Sequence, residues 1–288
     1  MACGLHHITH AVGDLDALAE VFRRLGFLVG ARNRHAWGTH NRIVQLDGFY
    51  IELLEVAEPE KIVPHGERSF SFGAFNRDFL AHRQGLAMLA LESSDAGADA
   101  NAFRAAGIGD FAPFAFERAG TRPDGSVAKV AFRLAFARDP HSPDAGFFAC
   151  QEHFPENFWN PALQAHPNTV AAIAGVVLVA ADPEAHRAFL ASFAGAGEAK
   201  ATSSGFAIAT PRGIIEVMPP DAFRARFGAE PPDSPRGQRI AALRFSARDF
   251  GAAIAAIKAG GVDAQMRMGR IVVGPQAAMG ATVVFEPA

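Results

Sequence analysis

The stretch LHHITHAVGDLDALAEVFRRLG (Leu5–Gly26) holds a strand, a helix start and a helix stop in that order. A strand-like run leads into Asp14, whose carboxylate can accept from the free N–H groups of a first helical turn. Leu15, Leu18, Phe22 and Leu25 then fall on one helical face. Gly26 suits the left-handed residue that closes a helix. The layout returns as Asp95 with Gly107, Asp182 with Gly195 and Asp249 with Gly261, each Gly twelve or thirteen residues after its Asp. Pro183 stands at a first helical position in the third copy. Phe250, Ile254 and Ile257 give the fourth its apolar face.

Three strand-like runs follow each helix, punctuated by Gly, Pro, Asp and Asn. In the first copy they are FLVGARN, HNRIVQL and FYIELLEV; in the second, APFAFERA, VAKVAFRLAFA and GFFACQEH. In the third they are EAKATSS, GFAIAT and GIIEVMPP, and in the fourth DAQMRMG, RIVVGP and ATVVFEP. The chain therefore reads as α+β, built from four βαβββ modules that begin near residues 5, 86, 173 and 240. Two longer connectors interrupt them. Ala57–Gly85 is expected to hold a short helix around Phe70–Arg83, and Pro219–Gly237 is a Pro-rich link. The stretch from Phe154 to Asn168 marks a domain boundary, giving units 1–160 and 161–288.

The chain has 288 residues, 49% of them apolar, enough for one large core or two ordinary ones. A net charge of −3 without a basic stripe argues against a nucleic-acid partner. The longest apolar run, Thr169–Ala181, is too short to span a bilayer, so no membrane role is expected. The N-terminus lacks the pattern of a signal peptide, and two distant cysteines, Cys3 and Cys150, do not form a disulfide framework. The expected location is the cytoplasm.

Alternation assigns the faces of the first strands. Six and four positions before each capping Asp stand Ile8 and His10, Leu89 and Leu91, Val176 and Leu178, Leu243 and Phe245. This mostly apolar face must lie under the module's own helix. Seven positions before it stand His7, Met88, Gly175 and Ala242, on the opposite face. His7 is thus aimed into the hollow of the sheet, whereas His10 reads as a core histidine. His6, close to the terminus, is expected at the surface.

The module layout resembles the vicinal-oxygen-chelate superfamily, which includes glyoxalase I, methylmalonyl-CoA epimerase, extradiol dioxygenases and bleomycin-resistance proteins. LHHITHAVGDLDA resembles its first strand and helix, and GFYIELLEV its fourth strand. WGTHNRIVQL (Trp37–Leu46), YIELLEV (Tyr50–Val56), FFACQEHFPENFW (Phe147–Trp159) and the later HPN (His166–Asn168) are more closely similar to the glyoxalase-like domain family, over about residues 5–190. The resemblance implies that modules pair into two glyoxalase-like domains, each closing a cup around one pocket. It also implies a divalent metal (Zn, Mn, Ni, Fe or Mg) held by first- and fourth-strand residues.

On that resemblance His7 matches the first-strand metal histidine and Glu52 the fourth-strand carboxylate. Met88 stands where a second histidine would be needed, so a metal set here would be His7, Glu52 and Glu152. Glu52 and Glu152 are also the candidate proton-transfer groups. Glu152 occupies the place of a His in the family pattern, and Cys150 lies on the same strand face. The segment His35–Arg42 offers Trp37, His40, Asn41 and Arg42 for substrate binding, with Met88 and Cys150 as pocket walls. His40 and Arg42 share one strand face, Asn41 and Ile43 the other. Phe70, Phe72, Phe75 and Phe79 suit either an apolar lid or a packing stripe.

Ten of the eleven histidines precede residue 167, and Glu216 and Glu286 echo Glu52 without imidazole partners. Modules three and four therefore read as a degenerate pair, serving structure or a homodimer contact. The expectation is a glyoxalase-type lyase or isomerase acting on a small oxygenated metabolite. The alternative is a metal-free small-molecule binding protein of the bleomycin-resistance type, with an extradiol dioxygenase ranked last.

Overall fold

A computed structural model gives the architecture and describes residues 3–121, 125–195, 198–233 and 235–288. Within the Pro219–Gly237 link, Ser234 lies outside the described residues, as do Met1 and Ala2 of the N-terminus. The first sheet contains β1 (Leu5–Ala11), β2 (Asn33–Arg34), β3 (Thr39–Leu46), β4 (Phe49–Val56), β5 (Gly85–Ser93), β6 (Phe114–Thr121), β7 (Val127–Ala137) and β8 (Gly146–Glu152). Its strand order is β2-β3-β4-β1-β5-β8-β7-β6. The second sheet contains β9 (Val170–Val179), β10 (Lys200–Thr202), β11 (Gly205–Ala209), β12 (Ile214–Met218), β13 (Arg239–Ala247), β14 (Gln265–Arg267), β15 (Arg270–Val273) and β16 (Thr282–Pro287). Its order, β10-β11-β12-β9-β13-β16-β15-β14, repeats the first. In each sheet two modules join through their first strands, β1 with β5 and β9 with β13, both antiparallel.

The capping logic holds at every copy. Asp14 accepts from the N–H of Ala17, Asp95 from Gly97 and Ala98, Asp182 from Glu184, and Asp249 from Ala252. The resulting helices are α1 (Leu15–Arg24), α3 (Ala96–Ala105), α4 (Arg187–Ala194, entered through a 3-10 turn at Pro183–His186) and α6 (Phe250–Ala259). All four stop glycines have positive φ: 83° at Gly26, 70° at Gly107, 57° at Gly195 and 62° at Gly261. The connectors carry α2 (Phe72–Leu80) and α5 (Pro220–Phe227). The second was not expected. Pro220 starts it, Phe223 and Phe227 pack one turn apart, and Gly228 closes it.

One apolar core joins the outer faces of both sheets to these helices, with Leu5, Ile8, Leu15, Phe22, Phe103, Leu178, Phe193, Leu243 and Phe285 among its members. His10 sits in this layer as read from sequence, edge-on to Phe22, with its Nε2 3.0 Å from the Met279 carbonyl. The concave face of the first sheet has its own cluster, rich in phenylalanine.

Each first strand also carries a β-bulge that sequence alternation does not show. The register shifts leave His6, Ala87, Ala174 and Ala241 as extra residues, each eight positions before its capping Asp. A bulge sets two neighbouring side chains on one side of the ladder. That is why His6 joins His7 on the concave face and is 3% exposed, correcting its expected surface position.

Candidate active site in the N-terminal cup

The concave face of the first sheet surrounds a cavity lined by His7, His35, Trp37, Asn41, Ile43, Tyr50, Glu52, Phe72, Phe116, Arg118, Phe132, Leu134, Phe148, Cys150 and Phe158. It is narrow, about 40 Å³, with room for about three waters. β1 and β4 run parallel with His7 opposite Tyr50 and Thr9 opposite Glu52, which places these groups side by side.

Glu52 is buried with both carboxylate oxygens held: Asn41 Nδ2 donates to Oε1 at 2.7 Å and Thr9 Oγ1 to Oε2 at 3.1 Å. Burial raises its pKa above the ordinary carboxylate value, against the pull of these donors. Asn41 is itself fixed, accepting from Asn33 at 3.0 Å and lying 3.3 Å from His35 Nε2. His35 lies 2.8 Å from Thr39 Oγ1 and stacks on Trp37 at 4.4 Å. Burial lowers its pKa to about 3, so the ring is neutral. With Nε2 accepting from Asn41, its proton sits on Nδ1.

His7 stacks on Tyr50 at 4.3 Å and meets Phe148 edge-on at 5.1 Å. Burial and the neighbouring His6 ring push its pKa well down, and burial pushes the Tyr50 phenol well up. Both are neutral hydrogen-bonding groups at neutral pH.

Of the residues read as site members from sequence, His7, Trp37, Asn41, Glu52 and Cys150 line this cavity. His40 and Arg42 lie on the other face of β3. His40 meets Glu58 at 3.2 Å, and Arg42 binds Asp16 at 3.0 Å and the Gly30 carbonyl at 3.1 Å. Met88 is fully buried in the wall, its sulfur 3.5 Å from Asn76 Nδ2, and does not reach the cavity. Glu152 lies farther along β8, taking a 2.8 Å hydrogen bond from Trp159 Nε1 and standing 3.4 Å from His6 Nε2. Phe72 of α2 lines the cavity, whereas Phe70, Phe75 and Phe79 line a separate one.

The expected metal set does not assemble. With matching bulges as reference points, His7 corresponds to Met88. Thr9 then corresponds to Ala90, so Glu52 corresponds to Phe148, not to Glu152. The second module thus supplies neither imidazole nor carboxylate at the matching places. Among the described residues, the one set of three potential ligands lying within 4.8 Å of one another is His6, His7 and Cys150. In it the two Nδ1 atoms are 2.7 Å apart, hydrogen-bonded to each other, whereas nitrogens on one tetrahedral zinc stand about 3.3 Å apart. Burial, then Glu152 and Glu52, hold the Cys150 thiol well above its usual pKa, so it is protonated.

Tyr50, Arg118 and Phe132 were not singled out from sequence. Tyr50 is the sole tyrosine and precedes Glu52 by two, which was the available signal. Arg118 gave none, because β6 alternation leaves its face ambiguous. In the second sheet, the position of Thr9 is taken by Val177, opposite Glu216, and that of Ala90 by Arg244, which binds Glu216 and, at 2.7 Å, Glu286. Arg226 and Arg270 complete this ion-pair cluster, at 2.7 Å from Glu216 and 3.0 Å from Glu286.

A doubled, bulged βαβββ sheet around one cavity is the vicinal-oxygen-chelate fold. The chain belongs to the glyoxalase-like domain family, whose model matches residues 5–193. A hypothetical protein from Staphylococcus aureus is similar over 99% of both chains, with 15% identity and a TM-score of 0.69. A mutant 4-hydroxymandelate synthase from Streptomyces coelicolor is similar over 99% of this chain and 92% of its own, with 11% identity and a TM-score of 0.56. The 2,2',3-trihydroxybiphenyl 1,2-dioxygenase of Sphingomonas wittichii is similar over 100% and 91%, with 13% identity and a TM-score of 0.56. At such identities these likenesses show the fold alone. No curated protein matches the chain. Among the described residues, no helix is long and apolar enough to cross a membrane.

Proposed function

We propose that the N-terminal cup is an active site that moves a proton on a small oxygenated metabolite, in the manner of a lyase or isomerase, with Glu52 as proton acceptor. One observation carries the reading: a buried carboxylate lines the cavity, fixed by Asn41 and Thr9, with its proton affinity raised. A base tuned upward from the ordinary carboxylate range is better matched to neutral pH. The neutral His7 ring and the Tyr50 hydroxyl line the same cavity and supply groups that can stabilise a developing oxyanion. Aromatic walls lower the local dielectric and strengthen each of these interactions.

The test is hydrogen–deuterium exchange at carbon in small hydroxy and oxo compounds, followed by NMR in deuterated buffer. Glu52→Gln keeps the two supporting hydrogen bonds possible and is expected to slow exchange by about 10²–10⁴-fold with the fold intact. Undiminished exchange in that variant refutes the assignment.

The gathering of His6, His7 and Cys150 favours a second reading, in which the cup takes up a divalent metal. Two imidazoles and a thiol suit zinc best among the divalent ions considered. Glu152, behind His6 Nε2, is placed to orient that ring. Cobalt titration of the wild type, His6→Ala and Cys150→Ala tests this through the thiolate-to-metal absorption band. No band in the wild type excludes it.

A further inference from the structure

Arginines withdrawn from solvent in this protein usually meet a carboxylate: Arg32 meets Glu55, Arg42 meets Asp16, Arg239 meets Asp144 and Arg244 meets Glu216. Arg118 does not. It lines the aromatic cavity, and its Nη1 donates to the carbonyl of its own neighbour, Ala119, at 3.1 Å. Among the described residues, no carboxylate lies within ion-pairing distance of it. Glu52 is the acid close enough to act on it, and that carboxylate is already shared between Asn41 and Thr9. A second donor in the same lining is also unanswered: the buried indole N–H of Trp37 has no acceptor among the described residues. A buried N–H without a partner is costly, and an incoming anion would satisfy it while giving the half-buried Arg118 guanidinium the carboxylate it lacks.

We propose that the cup recognises a small carboxylate monoanion, with Arg118 as its counter-charge and Trp37 as a second donor. The inference rests on the proton-transfer reading of this cup and names its substrate class. Cavity size sets the scale: about 40 Å³, room for about three waters, confines the ligand to a small anion. Charge sets the valence. The guanidinium in the lining can pair with one incoming carboxylate, and every further negative charge would add to the repulsion from Glu52 in a low-dielectric surround. Tyr50, Phe116, Phe132 and Phe148 provide that surround, so the ion pair is stronger than it would be at the surface.

Pyruvate and its neutral methyl ester serve as matched probes, with binding to the full-length chain followed by tryptophan fluorescence and ligand-observed NMR. Saturable pyruvate binding is expected, with the ester weaker by about tenfold or more. Arg118→Gln is expected to lower pyruvate affinity by a similar factor while leaving the ester unchanged, and Arg118→Lys to restore part of the loss. If Arg118→Gln does not fold, Trp37→Phe keeps an aromatic ring, removes the N–H and should weaken pyruvate binding by NMR. Equal binding of ester and acid, an Arg118→Gln protein that binds pyruvate as the wild type does, or no saturable binding of pyruvate, acetate or lactate overturns the proposal. Glu52→Gln separates the two readings. Pyruvate binding retained there supports the carboxylate site whatever happens to exchange, and exchange unaffected there sinks the role of Glu52 alone.

Discussion

Glu52 and His35 sit in one hydrogen-bonded row with opposite consequences for stability. Burial raises the folded pKa of Glu52 above its ordinary 4.5. Its contribution is therefore full below that value and is lost as pH rises through the folded pKa. Urea unfolding of wild type and Glu52→Gln across about pH 4–8 should show the variant gaining relative stability as pH rises; a constant gap contradicts this. His35 falls from 6.5 to about 3, so its contribution is full above 6.5 and is lost as pH falls toward 3, at up to about 1.4 kcal/mol per pH unit. His35→Gln should flatten the acid limb of the same curves. The positions of His7 and Glu52 on the cavity wall were readable because strand alternation and family likeness pointed at the same hollow. His6 was misread because a bulge cancels alternation locally. Glu152 was placed by likeness to a His of the family pattern, whereas pairing with the parallel neighbour aligns Phe148 with Glu52.

The Asp-to-Gly punctuation made the elements legible: caps and stops are local chemistry that a single chain displays openly. The link helix α5 was missed because its prolines read as linker composition, though Pro220 and Gly228 are also start and stop signals. Asp249→Ala removes the cap of α6 and should cost about 1 kcal/mol, lowering the melting temperature by a few degrees, about 2–4 °C. A melting temperature unchanged within error would mean that the interaction with Ala252 contributes nothing. Edge positions such as Arg118 stayed hidden because β6 mixes polar and aromatic residues on both faces.

The two sheets share one core, so the halves should not part company on unfolding. The buried Asp139 carboxylate ties them, meeting His186 at 2.7 Å and Gln238 at 3.0 Å. Backbones touch as well: a Cβ on Gly280, at φ 90°, would lie 2.2 Å from the Gln84 carbonyl. Calorimetry should show a single transition for the full chain, and Gly280→Ala should lower it by the equivalent of about 1–3 kcal/mol. Two separated transitions would show independent halves. Sequence placed a boundary between the units at Phe154–Asn168 but could not show that the apolar core continues across it, because contact between distant helices leaves no periodic trace.

The extra residue in each opening strand gives the fold an inherited slot for chemistry. Wherever it falls, two consecutive positions look into the same hollow without disturbing the ladder on either side. In the opening module the slot holds two imidazoles; in the last it holds Ala241 and Ala242. Two point changes there, Ala241→His and Ala242→His, would give that module the same pair of side chains. A duplicated scaffold of this kind can thus gain or shed a pair of polar side chains without redesigning its backbone.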